Sequence, residues 1–179
     1  MSIYSNPRGA AAANAKAVVQ ALLDLLGDRP ALEVLTETPG WLTDRLHGVP
    51  DEQLRRAEAP EKWSVGEVLA HLADSELVIG VRSRLTVGDV EPPLAGFDQD
   101  RWATELGYAR QDPATSLADF CGFRAANLRH WHRLSPDQWE RIGRHAERGP
   151  VSAALNARIA AGHDLVHRLQ VQRILRQQA

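Results

Sequence analysis

Apolar residues recur at the spacing of an α-helix in the N-terminal part of the chain. Residues 10–26 are strong helix formers with apolar positions on one face, and Gly27 and Pro30 end this helix. A shorter helix is predicted to follow Pro30. Thr38 and Pro39 have the form of an N-cap followed by a first-turn proline, so we expect the chain to bend there. These pieces together form the first helical arm of the predicted fold.

Three further helices are predicted downstream, over residues 65–87, 114–134 and 152–176. The first of them begins with a capping box, because Ser64 can accept from the amide of Glu67 while the Glu67 side chain reaches back. Its apolar residues cover a wide arc, which indicates a helix that packs on more than one side.

The segments between these helices differ in length. Residues 88–112 contain several prolines and glycines and form a long crossover, which in a compact domain is usually functional or covers something. Ser135 is expected to cap a short helix around Trp139, and residues 142–150 are predicted to be a loop. No segment shows the alternation of a half-buried strand. The sequence therefore predicts an all-α fold, a four-helix bundle with a long crossover connection.

Composition limits the size and class of the protein. With 179 residues and 44% hydrophobic content, the chain can bury the core of a single domain, predicted over residues 12–177 after an N-terminal extension of residues 1–11. The net charge of −2 favours neither nucleic acid nor an anionic membrane surface as a partner. No apolar run approaches the ~20 residues of a membrane span. The N-terminus lacks the apolar region of a secretory signal, so we expect a cytoplasmic protein.

Two histidines, His163 and His167, lie one turn apart on the last predicted helix, where their imidazoles can converge on one metal ion. At ~100° per residue they lie on the shoulder of an apolar stripe, whereas Asp164 and Arg168 lie on the opposite face. The stripe comprises Leu155, Ile159, Gly162, Val166, Leu169 and Gln170. The alternative interpretation is a pair of half-buried histidines that are hydrogen-bonded to neighbours.

A third histidine, His71, lies on the helix predicted over residues 65–87. A lone histidine among leucines is either a satisfied core residue or a ligand. Its face also carries Glu67 and Asp74, either of which could bind the far ring nitrogen and fix the tautomer. Because the capping box engages Glu67, Asp74 is the preferred candidate.

The remaining chemistry-bearing residues give weaker signals. Cys121 is the only cysteine, which rules out an intrachain disulfide and a cysteine-rich zinc site. His130 and His132 flank a tryptophan. His145 lies in a predicted loop from which it could approach the site, but the solvated surface is its preferred placement. His47 suits a helix C-terminus, so these four histidines are left outside the predicted site. Neither a serine nucleophile elbow nor a glycine-rich phosphate or dinucleotide loop occurs in the sequence.

Four segments together resemble a known family: Lys62-Trp-Ser-Val-Gly-Glu-Val-Leu-Ala-His-Leu-Ala-Asp-Ser-Glu76, Gly96-Phe-Asp-Gln-Asp-Arg-Trp102, Trp139-Glu-Arg-Ile-Gly-Arg-His145 and Gly162-His-Asp-Leu-Val-His167. This combination resembles the DinB-like superfamily, a family of metal-binding four-helix bundles. It is similar in particular to the branch related to bacillithiol- and mycothiol-dependent transferases. The resemblance covers residues 12 to 176.

The resemblance implies a three-histidine metal site formed by His71, His163 and His167. It also implies a divalent ion (Zn, Ni, Fe or Mn), a small-molecule substrate and a homodimer, with a low-molecular-weight thiol as a further cofactor. Three imidazoles leave positions open on the metal, where it can lower the pKa of a bound water or thiol. We therefore expect a metal-dependent thiol S-transferase or hydrolase, and the residues do not choose between them.

The alternative to an enzyme is a non-catalytic protein in which the metal is structural, or a stress-response interaction protein. For an enzyme, the crossover is the expected wall of the substrate site, with Asp98, Asp100, Arg101 and Trp102 as its candidate residues. Otherwise the crossover is a surface loop whose tryptophan packs on the bundle.

Overall fold

The structure, a computed structural model, describes residues 11–177, with side chains described from Ala15 onward. Residues 1–10 of the predicted N-terminal extension lie outside this range. Within it the chain forms the following helices: α1 (Ala11–Leu26), α2 (Ala31–Leu46), α3 (Asp51–Arg55), α4 (Val65–Gly88), α5 (Gln99–Glu105), α6 (Pro113–Trp131), α7 (Pro136–Glu140) and α8 (Ala153–Gln177), with a 3₁₀ turn at Tyr108–Arg110. The predicted all-α architecture is confirmed.

Helices α2, α4, α6 and α8 form the bundle. Helix α4 packs against both α6 and α8, α2 packs against the same two helices, and α1 covers the outer side of α8. One part of the core contains ten buried residues of α2, α4, α6 and α8: Leu42, Leu46, Val65, Val68, Leu69, Leu72, Ala73, Phe120, Val171 and Ile174. The predicted bundle and its crossover between α4 and α6 are therefore confirmed.

Side-chain caps start the helices where the sequence places them. Ser64 accepts from the amide of Glu67 at 3.2 Å, and the Glu67 carboxylate accepts from the Ser64 amide at 2.8 Å. Ser135 forms the corresponding box with Gln138 at the start of α7. Such caps satisfy amides that have no helical partner, so these boundaries follow from local sequence.

The predicted bend at Pro39 is wrong, because α2 continues through this residue. Thr38 does not cap a new helix; its hydroxyl donates to the carbonyl of Val34 at 2.8 Å. Proline has no amide to donate, so the carbonyl of Leu35, four residues earlier, loses its helical partner. A guanidinium nitrogen of Arg124 donates to that carbonyl at 2.8 Å. A side chain of α6 thus replaces the missing hydrogen bond.

The segments predicted as connections contain a small sheet of β1 (Pro93–Leu94), β2 (Ile142–His145) and β3 (Gly149–Ser152). Strand β1 pairs in parallel with β2, with Pro93 opposite Arg144, and β2 pairs antiparallel with β3, with His145 opposite Gly149. The prediction of a loop over residues 142–150 is therefore wrong. Strands of two to four residues are too short for an alternating pattern to stand out, and the sheet packs the crossover against the hairpin.

Candidate metal centre

The structure brings His71 of α4 together with His163 and His167 of α8. The Nε2 atom of His163 lies 3.0 Å from Nε2 of His71 and 3.0 Å from Nε2 of His167. The ligand atoms of all three residues lie within 4.8 Å of one another. Imidazole nitrogens bind zinc at about 2.0–2.1 Å, so nitrogens at this spacing can share one ion.

The three imidazoles are uncharged near neutral pH. Burial, and then the charge of His167, lowers the pKa of His71 well below its usual value. Burial is also the largest cause for His163, whose pKa is lowered well below its usual value. Burial lowers the pKa of His167 to about 4, although the hydrogen bond that His167 donates to Gln170 and the charge of Asp164 oppose this effect. Neutral rings keep the lone pairs that a metal needs.

The neighbours of His167 select the tautomer that a metal ligand requires. Its Nδ1 lies 2.8 Å from the side-chain oxygen of Gln170, which can only accept. The proton of the neutral ring therefore sits on Nδ1, and the lone pair of Nε2 faces the other histidines.

The predicted outer partners of His71 have other roles in the structure. Glu67 is held in the capping box, and Asp74 accepts from the Tyr108 hydroxyl at 2.7 Å. Within residues 11–177, Nδ1 of His71 is buried and has no hydrogen-bond partner. The interpretation of Asp74 or Glu67 as the group that binds this nitrogen is therefore corrected. Trp63 packs on the ring instead, with centroids 5.0 Å apart.

A buried charge network, absent from the sequence prediction, lies beside the histidines. Arg124 of α6 donates to Asp164 at 2.6 Å and 2.9 Å and to Glu76 at 2.9 Å. Asn127 donates to Glu76 at 2.9 Å. Burial alone lowers the pKa of Arg124, but the Asp164 and Glu76 carboxylates outweigh it and raise the pKa above its ordinary value. The network holds α4, α6 and α8 together next to His163.

The predicted faces of α8 need two corrections. Asp164, placed on the outer face by the helical wheel, is 1% exposed, whereas Leu169, placed on the apolar stripe, is 52% exposed. The wheel measures only apolar content, and Asp164 is buried because a cation from another helix neutralises it. The stripe residues Ile159, Gly162 and Val166 are buried as predicted.

The histidines line a cavity of about 810 Å³ between α1, α4, α8 and the crossover. From the crossover, Phe97 and Asp100 line it, and Trp102 stacks on Phe97 with centroids 4.6 Å apart. Asp98 instead caps α5, where it accepts from the amide of Arg101 at 3.0 Å. The crossover thus forms a wall of the cavity, through residues that only partly coincide with the predicted ones.

His145 also belongs to the site, although the sequence analysis favoured the solvated surface for it and left it outside the predicted site. The residue is 4% exposed and lines the cavity. Along β2, Gly143 and His145 are buried while Arg144 is exposed. This short alternation is the one local signal that could have located the side chain.

The sequence of this helical bundle matches a known protein family. A family model of the DinB superfamily matches residues 35–171, which include all three histidines. The chain belongs to the DinB superfamily. The family resemblance found in the sequence is thereby confirmed.

Two relatives of similar sequence match all or part of this region. A protein of Oceanobacillus iheyensis, named as a candidate metal-dependent hydrolase, is 28% identical over 74% of this chain and 77% of its own length. YfiT of Bacillus subtilis, also named as a candidate metal-dependent hydrolase, is 30% identical over 49% of each chain.

Two solved structures share the fold. YfiT, described as having an unusual four-helix bundle topology, superposes with a TM-score of 0.69 at 23% identity and covers 81% of this chain and 85% of its own. A mycothiol-dependent maleylpyruvate isomerase superposes with a TM-score of 0.64 at 15% identity, covering 82% of this chain and 65% of its own. None of the helices within residues 11–177 combines enough length with enough apolar character to span a bilayer.

Proposed function

We propose that this DinB protein is a metal-dependent hydrolase of a small molecule, with His71, His163 and His167 as the ligands of one divalent ion (Zn, Ni, Fe or Mn). The observation that carries the proposal is the convergence of three neutral imidazoles, with ligand atoms within 4.8 Å, on the wall of a cavity of about 810 Å³. The names of the relatives in Oceanobacillus and Bacillus favour the same reaction class.

The donor set fits a catalytic ion better than a structural one. Three protein ligands leave at least one position open, whereas structural zinc sites are closed by four. A bound divalent ion lowers the pKa of a water or a thiol at the open position and polarises the bond to be cleaved.

The surrounding residues orient the imidazoles and restrict water. Gln170 fixes the tautomer of His167 through the 2.8 Å contact, and Trp63 covers one face of His71. Arg124 and Asp164 fix the position of α8 relative to α6. The site is therefore preorganised by side chains that need not move when a substrate enters.

A second candidate function is the transfer of a low-molecular-weight thiol. Ligand pockets commonly occupy about 300–1,000 Å³, so the cavity has room for a thiol together with a small electrophile. The mycothiol-dependent isomerase shares only the fold at 15% identity, so it supports the transferase hypothesis only weakly. A non-catalytic metal protein is the third reading, and the open side of the triad argues against it.

Metal analysis comes first among the tests. Protein purified without a metal-affinity tag should contain about one divalent ion per chain, and the double variant His163→Ala/His167→Ala should contain none. His132→Ala, which changes an exposed histidine, is the matched control and should keep the ion. A parent protein without metal would refute the proposal.

An activity screen then separates the reactions. Hydrolysis of small esters and amides that needs metal but no thiol supports the hydrolase, whereas turnover only with added thiol supports the transferase. Metal without turnover, together with a large loss of melting temperature on chelation, would favour a structural ion. The homodimer and the cytoplasmic location stay predictions.

A further inference from the structure

A group of basic side chains lines the cavity outside the histidine triad. Arg82 comes from the C-terminal half of α4, His145 from β2, and Arg148 from the turn between β2 and β3. Arg82 is 6% exposed and His145 is 4% exposed. Separate parts of the chain therefore place three nitrogen donors on the cavity wall.

Electrostatic effects show that the three groups are close together. Burial, and then the charge of Arg148, lowers the pKa of Arg82 to about 10. Burial, followed by Arg148 and Arg82, lowers the pKa of His145 to about 4, so this ring is neutral at pH 7. Arg148 also contributes to the lowered pKa of His163, and both residues line the same cavity.

Two of these donors have no partner. Nδ1 of His145 accepts from the amide of Glu147 at 3.2 Å, so the proton of the neutral ring sits on Nε2. Nε2 of His145 and Nε of Arg148 are both buried and lack a hydrogen-bond partner among the described residues. A buried donor without a partner is destabilising, so an acceptor from a ligand would stabilise both.

The contrast with Arg124 shows what these arginines lack. Arg124 is buried between two carboxylates, which raise its pKa. Arg82 instead donates to a neutral carbonyl, that of Ala95, at 3.0 Å. The described part of the chain contains no ion pair for Arg82 or Arg148, although the Glu147 carboxylate raises the pKa of both against the effect of burial. A buried cation is normally paired with a carboxylate, as Arg124 is. Arg82 is buried without such an ion pair among the described residues.

We propose that Arg82, His145 and Arg148 form a subsite for a carboxylate group of the substrate. The proposal rests on the proposed function, since it places the reacting end of the same molecule at His71, His163 and His167. Two guanidinium charges and the Glu147 carboxylate leave one positive charge in excess, which matches a carboxylate better than a phosphate dianion.

The subsite also sets the form of the substrate. Arg82 follows His71 by eleven positions on α4, so the two Cα atoms are roughly 16 Å apart along the helix axis. The long arginine side chain shortens this gap. The substrate class is therefore an extended small molecule with a carboxylate at one end and a hydrolysable bond several bonds away.

The test is a titration with butyrate and, as its uncharged counterpart, butyramide, followed by NMR on the full chain both as purified and after chelation. Butyrate should bind in both states and butyramide in neither. Arg148→Gln should weaken butyrate binding at least roughly tenfold, as expected for the loss of a charge-assisted hydrogen bond. Arg144→Gln is the matched control, because Arg144 lies on the same hairpin but is exposed and pairs with Glu91 at 2.9 Å; it should bind as the parent does.

A second variant guards against loss of folding. In His145→Asn the side-chain oxygen can still accept from the Glu147 amide while the Nε2 donor is lost, so the turn is kept and butyrate binding should weaken. Arg148→Gln should melt at the parent temperature or above it without ligand, because it removes a half-buried cation whose buried Nε has no hydrogen-bond partner among the described residues. A merely structural Arg148 would instead lower the melting temperature and leave butyrate affinity unchanged.

Several results would overturn the subsite. These are equal binding of butyramide, unchanged butyrate affinity in Arg148→Gln, tighter binding of inorganic phosphate, or loss of butyrate binding on chelation, which would place the carboxylate on the metal. Failure of the metal proposal is seen separately, as absence of metal in the parent protein. The titration of the chelated protein is independent of that outcome.

Discussion

The guanidinium of Arg124 binds both carboxylate oxygens of Asp164, the residue that follows His163 on α8, at 2.6 Å and 2.9 Å. The same guanidinium reaches Glu76 on α4 and the carbonyl of Leu35 on α2, which Pro39 leaves without a helical donor. One side chain of α6 thus connects the other three bundle helices beside the histidine triad. The position of His163 therefore depends on a charge network whose members, Arg124, Asp164 and Glu76, are not among the residues that line the cavity.

Replacing Arg124 should be among the most damaging changes in this protein. Arg124→Leu leaves the carboxylates of Asp164 and Glu76 buried without a counter-ion, and loss of one member of such a network costs about 3–5 kcal/mol. Asp164→Asn leaves Arg124 paired with Glu76 and should cost less. Urea unfolding measures both, and an Arg124→Leu variant of parental stability would contradict the interpretation.

Removal of one histidine should abolish metal binding without unfolding the bundle. His71→Ala takes away one of the three proposed ligands and creates only a small cavity, so we expect a folded helical protein with metal content near zero. Elemental analysis and far-ultraviolet circular dichroism measure the two quantities. His132→Ala serves as the control here too, and retention of metal in His71→Ala would exclude this residue as a ligand.

The metal-free protein should lose stability as the pH falls from about 6.5 towards 4. The folded-state pKa of His167 is lowered to about 4, mainly by burial, so between these values the unfolded chain binds a proton that the folded chain does not. His71 and His163 shift in the same direction. His167 alone accounts for roughly 3 kcal/mol at the acid end of this window, at 1.36 kcal/mol per pKa unit.

Unfolding free energies of the chelated protein at several pH values test this dependence. The slope should be shallower in His167→Gln, which cannot take up the proton. A flat profile in the parent protein between pH 6.5 and 4 would contradict the burial of neutral imidazoles.

Gly162 should not tolerate a side chain, because α1 crosses α8 in close contact at this residue. A Cβ atom there would lie 2.3 Å from the backbone carbonyl oxygen of Leu22. Gly162→Ala must therefore displace α1, and overpacking of this kind costs about 1–3 kcal/mol. Because the neighbouring residue is His163, metal affinity should fall as well.

Gly122 on α6 provides the matched control, since a Cβ at that position meets nothing within 4 Å. Gly122→Ala should stabilise the protein by up to about 1 kcal/mol through helix propensity. Thermal melting of both variants gives the comparison. If Gly162→Ala melts at the same temperature as Gly122→Ala, α1 is not held against α8 at this residue.

The sequence predicted the main helices and the shared helix face of His163 and His167 for a common reason. The apolar periodicity, the Ser64 capping box and the four-residue spacing of His163 and His167 are local features. Each depends only on residues within one or two helical turns of one another. The assignment of His71 to the same site needed the family resemblance, because nothing local relates α4 to α8.

The errors share a different origin. Pro39 was expected to break α2, but Arg124 supplies the missing donor from another helix. Asp164 was expected outside, but the same guanidinium makes its burial favourable. His145 was expected in solvent, but pairing of β2 with β1 and β3 turns it towards the cavity.

The amino-acid sequence by itself determined where the helices with capping boxes begin and which histidines can share a helix face. Only the tertiary structure decided which polar groups are buried. Burial of a charge or a proline in a helix is acceptable when a partner is present, and here the partners lie 40 to 89 residues away along the chain. The packing of the helices decides which of these distant residues become partners, and no local sequence pattern encodes that choice.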